Sequence, residues 1–82
     1  MKKIRISRTR AKQIMMESRG RWFTTTHTTE KGAERVMNCR YDGLTSLGNI
    51  RVIERGVKGY KGVKLDTLQE LKANGETYRI SR

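Results

Sequence analysis

Eighty-two residues carry nineteen Lys and Arg against eight Asp and Glu, a net charge of +11 and a pI near 10.6. A single cysteine, Cys39, excludes an intrachain disulfide and fits a reducing compartment. Apolar runs of only a few residues exclude a membrane-spanning helix, and the Lys2-Lys3 opening lacks the hydrophobic stretch of a secretion signal, so a cytoplasmic protein is expected. What remains is one small domain with a modest core, whose field favours polyanions: nucleic acid, anionic lipid or an acidic protein surface.

The first twenty-one residues hold most of that charge. Lys2, Lys3, Arg5, Arg8, Arg10, Lys12, Arg19 and Arg21 face one acid, Glu17. Ser7 is placed to cap a helix that Gly20 ends, and Ala11, Ile14, Met15 and Ser18 recur at spacings of three and four, giving it a thin apolar stripe. Arg8 and Arg10 in the first turn oppose the helix dipole, a penalty that a bound polyanion would remove. The plainer reading docks Ile14, Met15 and Met16 on the domain and leaves the arginines in water. The chain thus divides into a basic N-terminal helix or arm, 1–20, and a β domain, 21–82.

From residue 22 the period changes to two. Residues 22–29 and 34–41 read as strands joined by a turn at Glu30-Lys31-Gly32, with Met37, Cys39 and Tyr41 on one face of the second. Trp22 and Phe23 are adjacent, so one faces in and one out. A Gly-containing loop over 42–49 places Leu44 and Leu47 over the core, and 50–54 is a third strand with Ile50 and Val52 on one side. A fourth strand, 60–65, runs among Gly56, Gly59 and Gly62. Asp66 is then placed to cap one helical turn with a leucine edge (Leu65, Leu68, Leu71), Gln69 completes a weak capping box, Asn74-Gly75 breaks the turn, and 76–80 is the last strand. Five short antiparallel strands with a helical turn before the last make a small barrel the expected fold.

The segments MNCR (37–40), KGYKGVKLDTL (58–68) and LKANGETY (71–78) resemble a family of small bacteriophage and prophage proteins described as SH3-like barrels. The likeness covers roughly 21–80. It implies a five-stranded antiparallel SH3-like barrel and a phage setting inside a bacterial host, and it lends no catalytic residues. The short Leu-rich central loop departs from relatives that carry a longer basic insertion, and the arginine-rich helix has no counterpart in the pattern.

No enzyme is expected. His27 and Cys39 are the only imidazole and thiol, too few for a structural zinc, so no metal or cofactor is expected. Asp42, Glu54, Asp66 and Glu70 show no paired-carboxylate spacing, and the glycines lack the order of a phosphate-cradling loop. A nucleic-acid site is better supported. Besides the basic helix, Arg40, Lys58, Tyr60, Lys61 and Lys64 are the candidates, with Arg35, Arg51 and Arg55 on neighbouring strands; Tyr60, set within KGYKG, is the stacking aromatic. The competing class is a protein module that occupies an acidic host protein through the Ile14-Met15-Met16 stripe or a strand edge. An anionic membrane surface is a weaker third, for want of aromatic anchors on the helix.

Overall fold

The computed structural model describes residues 3–18, 20–29 and 31–81. In chain order it contains β1 (Ile4–Ile6), α1 (Arg8–Glu17), β2 (Trp22–Thr28), β3 (Glu34–Leu44), β4 (Ile50–Glu54), β5 (Tyr60–Val63), a 3-10 turn (Leu65–Thr67), β6 (Leu68–Ala73) and β7 (Glu76–Ile80). The strands form one mixed sheet in the order β1-β7-β6-β2-β3-β4-β5. Only β1 against β7 is parallel, with Ile4 opposite Tyr78 and Ile6 opposite Ile80. The protein is mainly β, as expected, but the expected five-stranded antiparallel SH3-like barrel is corrected to seven strands in a sheet that does not close, with β1 and β5 as its edges.

Two strands account for the difference. β1 is three residues long, and its Ile-Arg-Ile alternation is hidden among cations. β6 occupies the residues expected to form a helical turn. There Leu68 pairs with His27 while Glu70 pairs with Thr26, so Gln69 is an extra residue, a β-bulge. The bulge lets Leu68 and Leu71, three apart, both face inward, at 3% and 0% exposure. A spacing of three therefore imitated a helix. Gln69 donates to Thr28 Oγ1 (2.8 Å) and completes no capping box. Asp66 caps nothing either: Lys64 precedes the 3-10 turn without a side-chain cap bond, and the Asp66 carboxylate instead receives Arg8 Nη1 at 3.1 Å. Asn74-Gly75 does turn the chain, both at positive φ (55° and 78°), but as the two-residue loop of the β6–β7 hairpin, with Ala73 opposite Glu76.

The expected cap and stripe of α1 are present. Ser7 Oγ accepts from the Arg10 backbone N–H (3.1 Å), and the buried stripe of α1 is Ala11, Ile14, Met15 and Ser18. Ser18 donates to the Ile14 carbonyl at 2.7 Å, which satisfies its hydroxyl inside the core. α1 lies against β3, β4, β6 and β7, on the side where Phe23, Cys39, Ile50, Val52, Val63, Leu68, Leu71 and Ile80 meet. The described part of the N-terminal segment thus supplies an edge strand and a share of the common core. The apolar stripe is consumed there, so Ile14 and Met15, at 4% and 0% exposure, are not free to enter a partner's groove. Leu47 does not cover the core; it stands 87% exposed at the tip of the β3–β4 loop, and Leu44 is 41% exposed.

Candidate nucleic-acid interface

Alternation along each strand divides the sheet into two faces. The inner one carries Phe23, Thr25 and His27 from β2 and Met37 and Cys39 from β3, and α1 covers it. The outer one has no element packed on it among the described residues. The hairpin register decides which of Trp22 and Phe23 lies where: Phe23 pairs with inward Cys39, so Trp22 pairs with outward Arg40. Arg40 in turn pairs with Ile53, and Ile53 with Tyr60. One row across four strands therefore reads Trp22, Arg40, Ile53, Tyr60. At about 4.8 Å per strand the row is about 14 Å long, the length of roughly four stacked nucleotides.

Both rings at its ends are accessible, Trp22 at 38% and Tyr60 at 63%. Both also carry guanidinium groups. Arg55 Cζ lies 4.5 Å and Arg40 Cζ 5.5 Å from the Trp22 ring centre, and Arg51 Cζ lies 4.9 Å from that of Tyr60. Such contacts are worth about 0.5–1 kcal/mol at exposed sites, less than the roughly 2 kcal/mol of rotamer entropy of an arginine, so they bias these side chains toward the rings without fixing them. Arg51 is held further by Asp42, whose carboxylate lies 3.2 Å from Nε and whose carbonyl accepts from Nη2 at 3.2 Å. The Nε contact is an ion pair without hydrogen-bond alignment, since that nitrogen is buried and has no bonded partner. Gly43 makes room for this arrangement: a bulge follows Tyr41, and a Cβ on Gly43 would stand 3.3 Å from Arg51 Nη2.

Beside the row the outer face is grooved. One concavity of ≈ 370 Å³ runs from Trp22 past Thr24 and Asn38 to Lys72 and Thr77, and an adjoining one of ≈ 440 Å³ continues from Lys72 and Thr77 past Thr26 and Val36 to Lys3. Hydroxyls and amides line it together with two cations, Lys3 and Lys72, and three carboxylates, Glu34, Glu70 and Glu76. Along β1, β7 and β6 the register sets Arg5 beside Arg79 and Arg79 beside Glu70. Two arginines side by side repel, and an anion over them would relieve the repulsion.

The sequence candidates fall into separate groups. Arg40 and Tyr60 share the outer row, Arg5 lies on the same face at the far edge, and Lys58 is exposed in the loop leading to β5. Lys3 reaches over that face but is paired with Glu70 at 3.0 Å. Lys61 is not on the Tyr60 side: it pairs with inward Val52 and gives its ammonium to Glu54 Oε1 at 2.6 Å, which Arg35 shares at 3.2 Å. The Lys61 bond, with both nearby cations, holds the Glu54 carboxyl below the usual carboxylate range. Lys64 is exposed at the rim of the inner side. Arg8, Arg10 and Lys12 lie on α1, across the sheet from Trp22; Arg8 is engaged by Asp66 and Arg10 by Gln13. Arg21 donates to Asn74 at 3.3 Å. Lys2 and Arg19 lie outside the described residues.

The structure adds Trp22, Lys72 and Arg79 to the outer face. Trp22 could have been placed from sequence: once Met37 and Cys39 point inward, a turn at 30–32 puts Trp22 opposite Arg40 and therefore outward. Lys72 and Arg79 required β6, which the leucine spacing concealed. Searches of protein-family models, curated proteins and solved structures find no match to the chain.

Cys39 is fully buried, and burial pushes its thiol up to about 11. The thiol is therefore protonated near neutrality and should not react with a maleimide until the chain unfolds. A raised value also has a stability consequence, because the unfolded chain loses that proton first. The contribution is whole below about pH 9 and is lost as pH rises toward 11, so urea midpoints should fall across that window and fall less in Cys39→Ala. Among the described residues no three or more His, Cys, Asp or Glu side chains cluster as a metal site, and no helix is long and apolar enough to cross a membrane.

Proposed function

We propose that this protein binds single-stranded nucleic acid across the open face of its sheet, through stacking and phosphate contacts and without catalysis. The observation that carries this reading is the row Trp22, Arg40, Ile53, Tyr60, whose two end rings are accessible on an uncovered face and each lie under at least one guanidinium. Unpaired bases have exposed π faces that such a row can receive, while duplex bases do not. Lys72 lines the groove, and Arg55, Arg51, Arg79 and Arg5 supply further positive charge on the same face. The sheet presents no recognition helix on this face, so phosphate charge and stacking, rather than base-edge reading, set the affinity. The phage setting and the bacterial cytoplasm suggested by the resemblance belong to the same proposal.

The test uses the only tryptophan in the chain. Trp22 emission should be quenched saturably by single-stranded oligonucleotides, more strongly than by duplex of the same length. With about six phosphates neutralised, the slope of log K against log salt should be about −4 for single strands. A flat salt response or unquenched emission would count against the reading. Failure with every polynucleotide would return the basic surface to the alternative, an acidic host protein paired at the free edge of β1 or β5.

A further inference from the structure

A second cationic feature lies on the inner side, away from Trp22. The end of β2, the start of β3, β5 and the 3-10 turn surround a pocket of ≈ 190 Å³ lined by His27, Arg35, Met37, Lys61, Lys64 and Thr67, among others. Its size is several times the roughly 30 Å³ share of one water, enough for a tetrahedral oxyanion. Its charge is unbalanced: Arg35 and Lys61 share one carboxylate, Glu54, and Lys64 has no carboxylate partner among the described residues. Each cation keeps donors in reserve, because a guanidinium has five N–H groups and an ammonium three, while Arg35 and Lys61 each spend one on Glu54.

The base of the pocket is His27, only 8% exposed. One ring nitrogen, Nε2, is well bonded to Thr25 Oγ1 at 2.9 Å. The other, Nδ1, has only a long contact of 3.5 Å to Thr67 Oγ1, a residue that also lines the pocket. A nearly buried imidazole is thus held at one nitrogen by a long contact only, in a pocket lined by three cations.

We propose that this pocket is a phosphate site, holding either inorganic phosphate or the terminal phosphate of a polynucleotide against Arg35, Lys61 and Lys64, with His27 beneath. Phosphate oxygens would take the spare N–H groups of the cations. A protonated His27 could then donate through Nδ1. In the empty pocket burial, and then the nearby Arg35, hold His27 below the ordinary imidazole value, so the ring is neutral near neutrality. A dianion reverses the local field created by Arg35 on β3, Lys61 on β5 and Lys64 before the 3-10 turn, and favours the charged ring.

The chain has one histidine, so its imidazole NMR signals report on this pocket alone. Titration with inorganic phosphate, against chloride at matched ionic strength, should shift those signals saturably and raise the His27 pKa by about one unit. Lys64→Gln, at an exposed position away from the core, should weaken the effect roughly tenfold while leaving Trp22 quenching by oligonucleotides intact. Paired 5′-phosphorylated and 5′-hydroxyl oligonucleotides identify the source: a His27 shift with the first alone assigns a strand terminus, and a shift with inorganic phosphate alone assigns the free ion. Signals that move equally in chloride, that respond to neither phosphate probe, or that respond identically in Lys64→Gln would overturn the proposal.

Discussion

Trp22→Ala is expected to weaken binding of a labelled single-stranded oligonucleotide roughly ten- to a hundredfold, the loss of about 1–3 kcal/mol that accompanies removal of one stacking ring. The native state should tolerate the change better than a core truncation, because the ring lies on the outer face, partly exposed under Arg40 and Arg55. Tyr60→Ala should cost a similar amount. Since the two residues stand at opposite ends of a four-strand row about 14 Å long, their effects should nearly add in the double variant. Trp22→Phe, which keeps a smaller ring, should fall between. Fluorescence anisotropy at low and moderate salt measures all four, and a double variant that binds like the parent chain would remove the outer face from consideration.

The neighbouring substitution should have the opposite character. Phe23→Ala is expected to cost about 3–5 kcal/mol of stability, since it empties a site where the ring is 2% exposed. At 0.05–0.15 kcal/mol per residue, the whole domain has roughly 4–12 kcal/mol to lose. Phe23→Ala should therefore be partly or wholly unfolded at room temperature, with the loss of a cooperative urea transition as the readout. A variant that melts like the parent would mean that Phe23 is not the centre of the core. One peptide bond separates the two residues, and strand alternation alone assigns one to ligand and the other to the fold.

How much of this could be read beforehand varies with the kind of signal. α1 was legible because its cap, its stripe and its end lie within a dozen residues and agree with one another. The β2–β3 hairpin was legible for the same reason, and so was the inward set Met37, Cys39, Ile50 and Val52. β6 was not, because the bulge at Gln69 shifts a period of two to a spacing of three, and periodicity cannot distinguish that from a helical turn. β1 was not, because three residues are too few for a pattern and the partner strand lies at the other end of the chain. The closed barrel failed with them: without β1 and β6 the remaining strands would need to close to satisfy their edges, whereas with them β7 is covered on both sides. On the functional side, charge pointed to a polyanion but not to a face. Tyr60 was found from its basic surroundings, yet Lys61 beside it faces the other way, which a composition-based reading cannot detect.

The pairing of β1 with β7 also bears on how the chain acquires its structure. Ile4–Ile6 can find its place only after Glu76–Ile80 exists, and the Ser81 N–H closing onto the Ile6 carbonyl at 2.8 Å is among the most non-local bonds in the molecule. During synthesis the first strand therefore waits for nearly the entire sequence to leave the ribosome. Until then the inner side of the sheet lacks its far edge and α1 lacks part of its support. High contact order of this sort places folding toward the slow range of milliseconds to seconds. The nascent chain, strongly cationic and still unpaired, is meanwhile kept from self-association by its own charge.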